Sequence, residues 1–178
     1  MVNNAKEIYF DYLGNESFMW KDGVLEEYKS YNISKDQEKL WGVELKEKLY
    51  SELDVKHDSS LGSLILIINY FGDYNLLKNV LNFISNNYKE ADSFLKLRYA
   101  EELFDVVEKC DFHEQVPEDI LLETEKLIRN IINEILNNRI EISDESEKIL
   151  EFNKDMNDEN YIFLRTQELS KRAQLEQF

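Results

Sequence analysis

Apolar residues recur with a helical period over most of the chain. Trp41, Leu45 and Leu49 are spaced four residues apart, which places them on one face of an amphipathic helix. Ser34 followed by Gln37 has the pattern of a capping box, so this helix is predicted to begin directly after Ser34. The same period predicts six further helices, over residues 61–71, about 74–87, 90–109, from Pro117, which suits the first turn of a helix, from about 144, and 161–175.

The first 33 residues follow a different pattern. Ile8, Phe10 and Tyr12 alternate with their neighbours in the period of two that is typical of a half-buried strand. Asp22 followed by Gly23 is a strong signal for a tight hairpin turn, and a second short strand is predicted just before it. This segment is therefore expected to form a small β-meander, which must pack on something larger because two or three strands are marginally stable alone.

Together the two patterns predict a mainly α fold with two regions. Residues 1–33 form the β-meander packed on the helical body, and residues 34–178 form an all-α helical domain. Short polar connections between the helices favour antiparallel helix pairs. Stacked pairs of this kind build a HEAT-like α-solenoid, but the chain has no clear repeat consensus, so an irregular bundle stays open as the alternative.

The chain is strongly acidic. Its 178 residues include 37 Asp and Glu but 21 Lys and Arg, which gives a formal net charge of −16. Nucleic acids and anionic membranes require a positive protein surface, so neither is expected as a partner. The first residues lack the basic and apolar segments of a secretory signal, and no apolar run approaches the ~20 residues of a membrane span, so a cytoplasmic location is expected.

Negative charge is concentrated in the stretch 101–125, where ten acids accompany a single Lys. Five of these acids are placed to form one surface, three on one face of a predicted helix and two at the start of the next. They are Glu101, Asp105, Glu108, Glu118 and Asp119. Like charges at helical spacing repel each other, so we interpret these acids as a docking surface for a basic protein. The alternative is a solvated face that serves solubility.

Aromatic residues are dense in the first 50 positions. The simplest interpretation is a second small core in the N-terminal region. The alternative is that one or two of them stay exposed as interface anchors, since Tyr and Trp are enriched at binding hot spots. Trp20 and Tyr31 are the candidates for that role.

Residues that carry chemistry are sparse. Cys110 and His113 have metal-ligand spacing, but a structural zinc site requires four ligands and a second pair is missing. The chain has neither a nucleophile elbow nor a phosphate-binding glycine loop. We therefore predict no catalytic residue, no metal and no cofactor, and expect a protein that is not an enzyme. Carboxylates that hold a divalent ion are the remaining enzymatic alternative.

Three segments of the N-terminal region resemble other proteins. They are 11–15 (DYLGN), 21–23 (KDG) and 27–35 (EYKSYNISK). These segments resemble the opening of small uncharacterised helical (HEAT-like) proteins of low-GC Gram-positive bacteria, which implies helix pairs after a short strand-and-turn start. In size and acidity the chain also resembles bacterial immunity proteins, which neutralise a toxin. Neither resemblance implies a site residue.

Two non-catalytic functions are consistent with these patterns. The first is an immunity-type binding module that neutralises a basic toxin partner through an acidic helical face. The second is a helical scaffold or adaptor that binds its partner through the N-terminal aromatic residues, whatever the charge of that partner.

Overall fold

The computed structural model describes residues 2–56, 59–110, 116–151 and 159–175. Every regular element within these ranges is an α-helix. The helices are α1 (Val2–Asp11), α2 (Glu16–Lys21), α3 (Leu25–Ser30), α4 (Lys35–Ser51), α5 (Ser59–Phe71), α6 (Tyr74–Asn87), α7 (Ser93–Cys110), α8 (Glu118–Asn137), α9 (Asp144–Glu151) and α10 (Glu159–Leu175).

The predicted N-terminal β-meander is wrong, because residues 2–30 form the three helices α1, α2 and α3. The side chain of Asn15 caps α2 by accepting hydrogen bonds from the backbone N–H groups of Ser17 (2.9 Å) and Phe18 (3.2 Å). The segment predicted as a second strand is therefore the body of a short capped helix.

The Asp22–Gly23 pair ends a helix and does not turn a hairpin. Gly23 has a φ of +77°, and its N–H donates to the carbonyl of Trp20 (3.1 Å). The N–H of Val24 donates to the carbonyl of Met19 (2.9 Å), which completes the Schellman motif that commonly terminates α-helices. The positive φ of Gly23 therefore belongs to the C-terminal end of a helix and not to a hairpin turn.

Other predicted helix ends are confirmed. The hydroxyl of Ser34 accepts from the N–H of Gln37 (3.2 Å) at the start of α4. Gly72 follows α5 with a φ of +65°, and Asp73 caps α6 by accepting from the N–H of Leu76 (3.1 Å). These local signals set the boundaries of α4, α5 and α6.

The first compact unit comprises Met1–Glu52. Helix α1 packs on α3 and α4, and α2 packs on α3. The predicted boundary between residues 33 and 34 therefore lies inside this unit. Its core is small and rich in large side chains. The buried members are Ala5, Met19, Leu25, Tyr28 and Trp41. The ring of Tyr9 lies 5.7 Å from that of Trp41 and extends this core towards the surface.

Gly14 is expected to be intolerant of a side chain. It has a φ of +69°, and a Cβ added there lies 2.6 Å from Cζ of Tyr9. The substitution Gly14→Ala should lower the free energy of unfolding of the first unit by about 2 kcal/mol, because it adds both backbone strain and a displaced ring. Urea unfolding followed by tryptophan fluorescence measures this loss, since the chain's two tryptophans both lie within residues 1–52.

Gly42→Ala is the matched control for that experiment. Gly42 lies within α4, and a Cβ there is 3.1 Å from the Tyr9 hydroxyl oxygen, which needs a small shift of that side chain. Alanine gains about 1 kcal/mol of helix propensity over glycine, so this variant should stay within about 0.5 kcal/mol of the native chain. Equal losses in the two variants are incompatible with strain specific to Gly14.

The second compact unit comprises Leu53–Phe178. Helix α7 packs most extensively on α8 and also contacts α5 and α10, while α10 contacts both α7 and α8. The buried face of α8 extends from residue 120 to residue 135. Its members are Ile120, Thr124, Leu127, Ile128, Ile131, Ile132 and Ile135.

The start of α7 is fastened to the segment that precedes α9. The N–H of Ser93 donates to the carbonyl of Glu141 (2.8 Å), and the N–H of Glu141 donates back to the Ser93 hydroxyl (3.0 Å). Asp92 accepts from the N–H of Leu95 (2.9 Å) with one oxygen and from the N–H of Ser143 (2.8 Å) with the other. We call these four bonds the 92–143 clamp.

Ser143 caps the start of α9. Its hydroxyl accepts from the N–H of Ser146 (3.2 Å).

Candidate functional site

A polar groove runs between α7 and α10 in the second unit. Its volume is about 220 Å³. It is lined by three arginines, four acids and two apolar side chains. They are Arg98, Glu101, Glu102, Phe104, Asp105, Glu108, Arg165, Leu169 and Arg172. We call it the α7–α10 groove, and all three acids predicted on α7 lie in it.

Ion pairs cross the α7–α10 groove at two levels. Arg165 donates from Nε to Glu101 on the opposite helix (2.7 Å) and from Nη1 to Glu168 on its own helix (2.8 Å). Arg172 pairs with Glu108 one level further along. The hydrogen bond to Glu101 is the main cause that raises the pKa of Arg165 above its already high value, so this guanidinium keeps its charge.

The floor of the groove is apolar. The side chains of Phe104 and Leu169 are both buried. The guanidinium carbon of Arg172 lies 4.7 Å from the centre of the Phe104 ring, which is a cation–π distance. Arg172 therefore contacts α7 through both a carboxylate and an aromatic face.

The acids predicted as a free docking face are neutralised within the chain. Glu101 contacts Arg165 and, at 3.4 Å, Arg98. Glu108 pairs with Arg172, and Asp105 pairs with Lys109 on its own helix. The side chains do share one face, as predicted, but a partner has to displace these internal cations in order to reach them. Their role in binding stays a prediction.

The two acids predicted at the next helix are differently placed. Glu118 and Asp119 lie exposed in the first turn of α8, where negative charge complements the helix dipole. Leu122 is 59% exposed on the same helix, and Glu123 beside it is exposed as well. Within the described ranges none of the three acids forms an ion pair. We call Glu118, Asp119, Leu122 and Glu123 the α8 acidic face.

The two aromatic candidates lie in the first unit. Trp20 is 70% exposed at the end of α2. Tyr31 is partly buried, and its hydroxyl donates to Glu27 (3.0 Å), a bond that is the main cause of its raised pKa. Trp20 is thus available to a partner, while Tyr31 already has an internal one.

Cys110 and His113, which have metal-ligand spacing in the sequence, lie at or beyond the edge of the described residues. His57 and His113 fall outside them, and of Cys110 only the backbone at the end of α7 is described. In the ranges that the structure covers, no group of three or more His, Cys, Asp or Glu is placed to hold a metal ion. No helix in those ranges is both long enough and apolar enough to cross a bilayer.

Sequence reasoning missed Arg165 and Arg172. They lie 64 positions after their partners Glu101 and Glu108, so no local pattern connects them. The sequence contains one indication of this pairing: the two arginines are seven residues apart, and so are the two glutamates. Residues with this spacing lie on the same face of a helix, two turns apart.

Comparison with known proteins leaves the chain without an assigned relative. No protein-family model matches it, and neither curated proteins nor solved structures give a significant match. The resemblance to helical proteins of low-GC Gram-positive bacteria, the HEAT-like arrangement and the likeness to immunity proteins all stay predictions.

Proposed function

We propose that this chain is a non-catalytic protein-binding module of immunity type, which masks a basic protein partner. The α8 acidic face carries this proposal. Its three exposed carboxylates form no ion pair in the part of the chain that the structure describes, and they surround an exposed leucine. Carboxylates of this kind attract a basic partner over a Debye length and orient it, while the leucine supplies apolar contact.

The wider charge distribution supports the same proposal. The chain has a net charge of −16, so its long-range field favours encounter with a cationic protein. Binding of this type is salt-sensitive, because exposed charges are screened beyond about 10 Å at 0.1 M salt.

Charge reversal on the α8 acidic face is expected to abolish most of the binding. The double variant Glu118→Lys/Asp119→Lys should lower capture of the basic partner about tenfold, since it removes two attractive charges and adds two repulsive ones. The measurement is affinity capture from an extract of the source organism at about 0.05 M and about 0.3 M salt, with identification of basic proteins by mass spectrometry.

The matched control is Asp144→Lys/Glu145→Lys, which changes the net charge by the same amount at another helix start. It should lower capture by no more than about twofold. Equal losses in the two variants indicate a general charge effect and contradict a specific surface. If the native chain captures no basic protein at low salt, the proposal is abandoned.

A helical adaptor is the second candidate, and the exposure of Trp20 favours it. Leu40 and Val43 are also exposed on α4 of the same unit, so apolar surface is available there. Loss of the captured protein with Trp20→Ala, but not with Glu118→Lys/Asp119→Lys, supports the adaptor and argues against recognition by charge.

A further inference from the structure

We infer that α10 is an exchangeable helix. In the free chain α10 covers the acidic surface of α7. When α10 is released, a basic amphipathic helix of the partner binds this surface in its place. The nature of the partner rests on the function proposed above. The exchange of α10 is independent of that function and can be tested on the chain alone.

The first argument is the match of spacing between α10 and α7. Arg165 and Arg172 are separated by two helical turns and meet Glu101 and Glu108, which are separated by the same two turns. The Arg172 guanidinium also covers the ring of Phe104. Helix α10 thus shows which pattern the α7 surface accepts, namely an apolar face flanked by arginines seven residues apart.

The second argument is the small apolar contribution of α10. Among its described side chains only Ile162, Thr166 and Leu169 are buried, whereas α8 buries seven. The hydroxyl of Thr166 is satisfied by the carbonyl of Ile162 on the same helix (2.7 Å). A helix with few buried apolar side chains opens at lower free energy than one with many.

The third argument is the exposure of the ion pairs that hold α10. The side chains of Arg165 and Arg172 are 35% and 39% exposed. Pairs of this exposure contribute modestly and are weakened by salt. Release of α10 should therefore respond to ionic strength in a way that the apolar contacts of α8 do not.

The fourth argument concerns charge complementarity. Residues 159–175 carry three bases and two acids in a chain of net charge −16, so α10 is itself a weakly basic segment. Its departure leaves Glu101 and Glu108 without their α10 cations, beside the apolar side chain of Phe104. A basic amphipathic helix is the occupant that this combination fits.

The test of release is hydrogen exchange of backbone amides in the full chain. In Arg165→Gln/Arg172→Gln the exchange of α10 amides should rise about tenfold, while the amides of α6, which packs on α5 and α8, keep their protection. The same rise should follow an increase from about 0.05 M to about 0.5 M salt in the native chain, a comparison that needs no variant. The matched control is Lys78→Gln/Lys148→Gln, which removes two exposed cations from α6 and α9 and should leave α10 exchange unchanged.

The test of the occupant uses a labelled peptide of residues 159–175 as the probe. In the native chain α10 is covalently tethered beside α7 and competes with an added peptide at an effective concentration in the millimolar range. The peptide is therefore added to the Arg165→Gln/Arg172→Gln chain, whose own α10 lacks both arginines. Fluorescence anisotropy should show binding, and the further change Glu101→Gln/Glu108→Gln should weaken it about tenfold.

Each outcome decides the inference. Unchanged α10 exchange in both the glutamine variant and high salt shows a fixed core helix and overturns it, and so does an equal rise in the lysine control. Failure of the peptide to bind, or binding that ignores Glu101 and Glu108, overturns the assignment of the acidic surface. Loss of the proposed function shows instead in the capture experiment on α8, so the two failures are distinguishable.

Discussion

Replacing Trp41 with alanine is expected to unfold most of the first unit while the helices of the second unit stay folded. Trp41 is 3% exposed and belongs to a core of five buried side chains, all within Met1–Glu52. Truncation of a buried Trp costs about 3–5 kcal/mol. A unit of this length has a total stability of roughly 3–8 kcal/mol, so the loss removes most of it.

Hydrogen exchange followed by mass spectrometry measures this effect helix by helix. Amides of α1 to α4 should lose protection in Trp41→Ala, whereas those of α7 and α8 should keep it. The matched control is Leu40→Ala, the preceding residue of the same helix, which is 64% exposed and should change stability by less than about 0.5 kcal/mol. Retained protection in α1 and α3 of the Trp41 variant contradicts the assigned core.

The N-terminal helices were not predicted because their residues fit two periods at once. Ile8 and Tyr12 are four residues apart, as on a helix face, and also alternate with Tyr9 and Asp11, as on a strand. Where nearly every position is apolar, periodicity does not discriminate between the two structures. The contacts that distinguish helices from strands here are the Asn15 cap and the helix end at Gly23. Asn and Gly are also common in turns, so these residue types do not identify a helix from the sequence.

Beyond residue 34 the prediction succeeded because caps and periodicity agree. Ser34, Gly72 and Asp73 each have a local hydrogen-bonding or conformational role that a sequence displays directly.

The candidate site shows the opposite limit of sequence reasoning. The spacing of Glu101, Asp105 and Glu108 correctly placed them on one face, and all three line the α7–α10 groove. The arginines that neutralise Glu101 and Glu108 come from a helix far along the chain, and only packing brings them together. The surplus of negative charge in 101–125 therefore overstated the free negative charge of the α7 surface. On α8 Glu125 pairs with Arg129, and the acids of the α8 acidic face form no ion pair in the described ranges.

Removing the side chain of Asp92 is expected to have the second-largest effect on stability. Its two carboxylate oxygens serve two separate segments, the start of α7 through Leu95 and the approach to α9 through Ser143. Asp92→Ala leaves two backbone donors without acceptors, and because both are only partly buried each costs about 1–2 kcal/mol. We therefore expect the second unit to lose about 2–4 kcal/mol, measured by urea unfolding with far-ultraviolet circular dichroism.

Two comparisons isolate the role of the 92–143 clamp in this loss. Asp73→Ala removes a cap that accepts from the N–H of Leu76 at the start of α6, and a lost helix cap costs about 1 kcal/mol. Tryptophan fluorescence should keep its unfolding midpoint in the Asp92 variant, because both tryptophans lie within the first unit. Amides of residues 93–97 and 143–147 should exchange faster together, since one side chain holds both segments. If only α7 responds, Asp92 is an ordinary helix cap, and the bond to Ser143 contributes nothing to the attachment of α9.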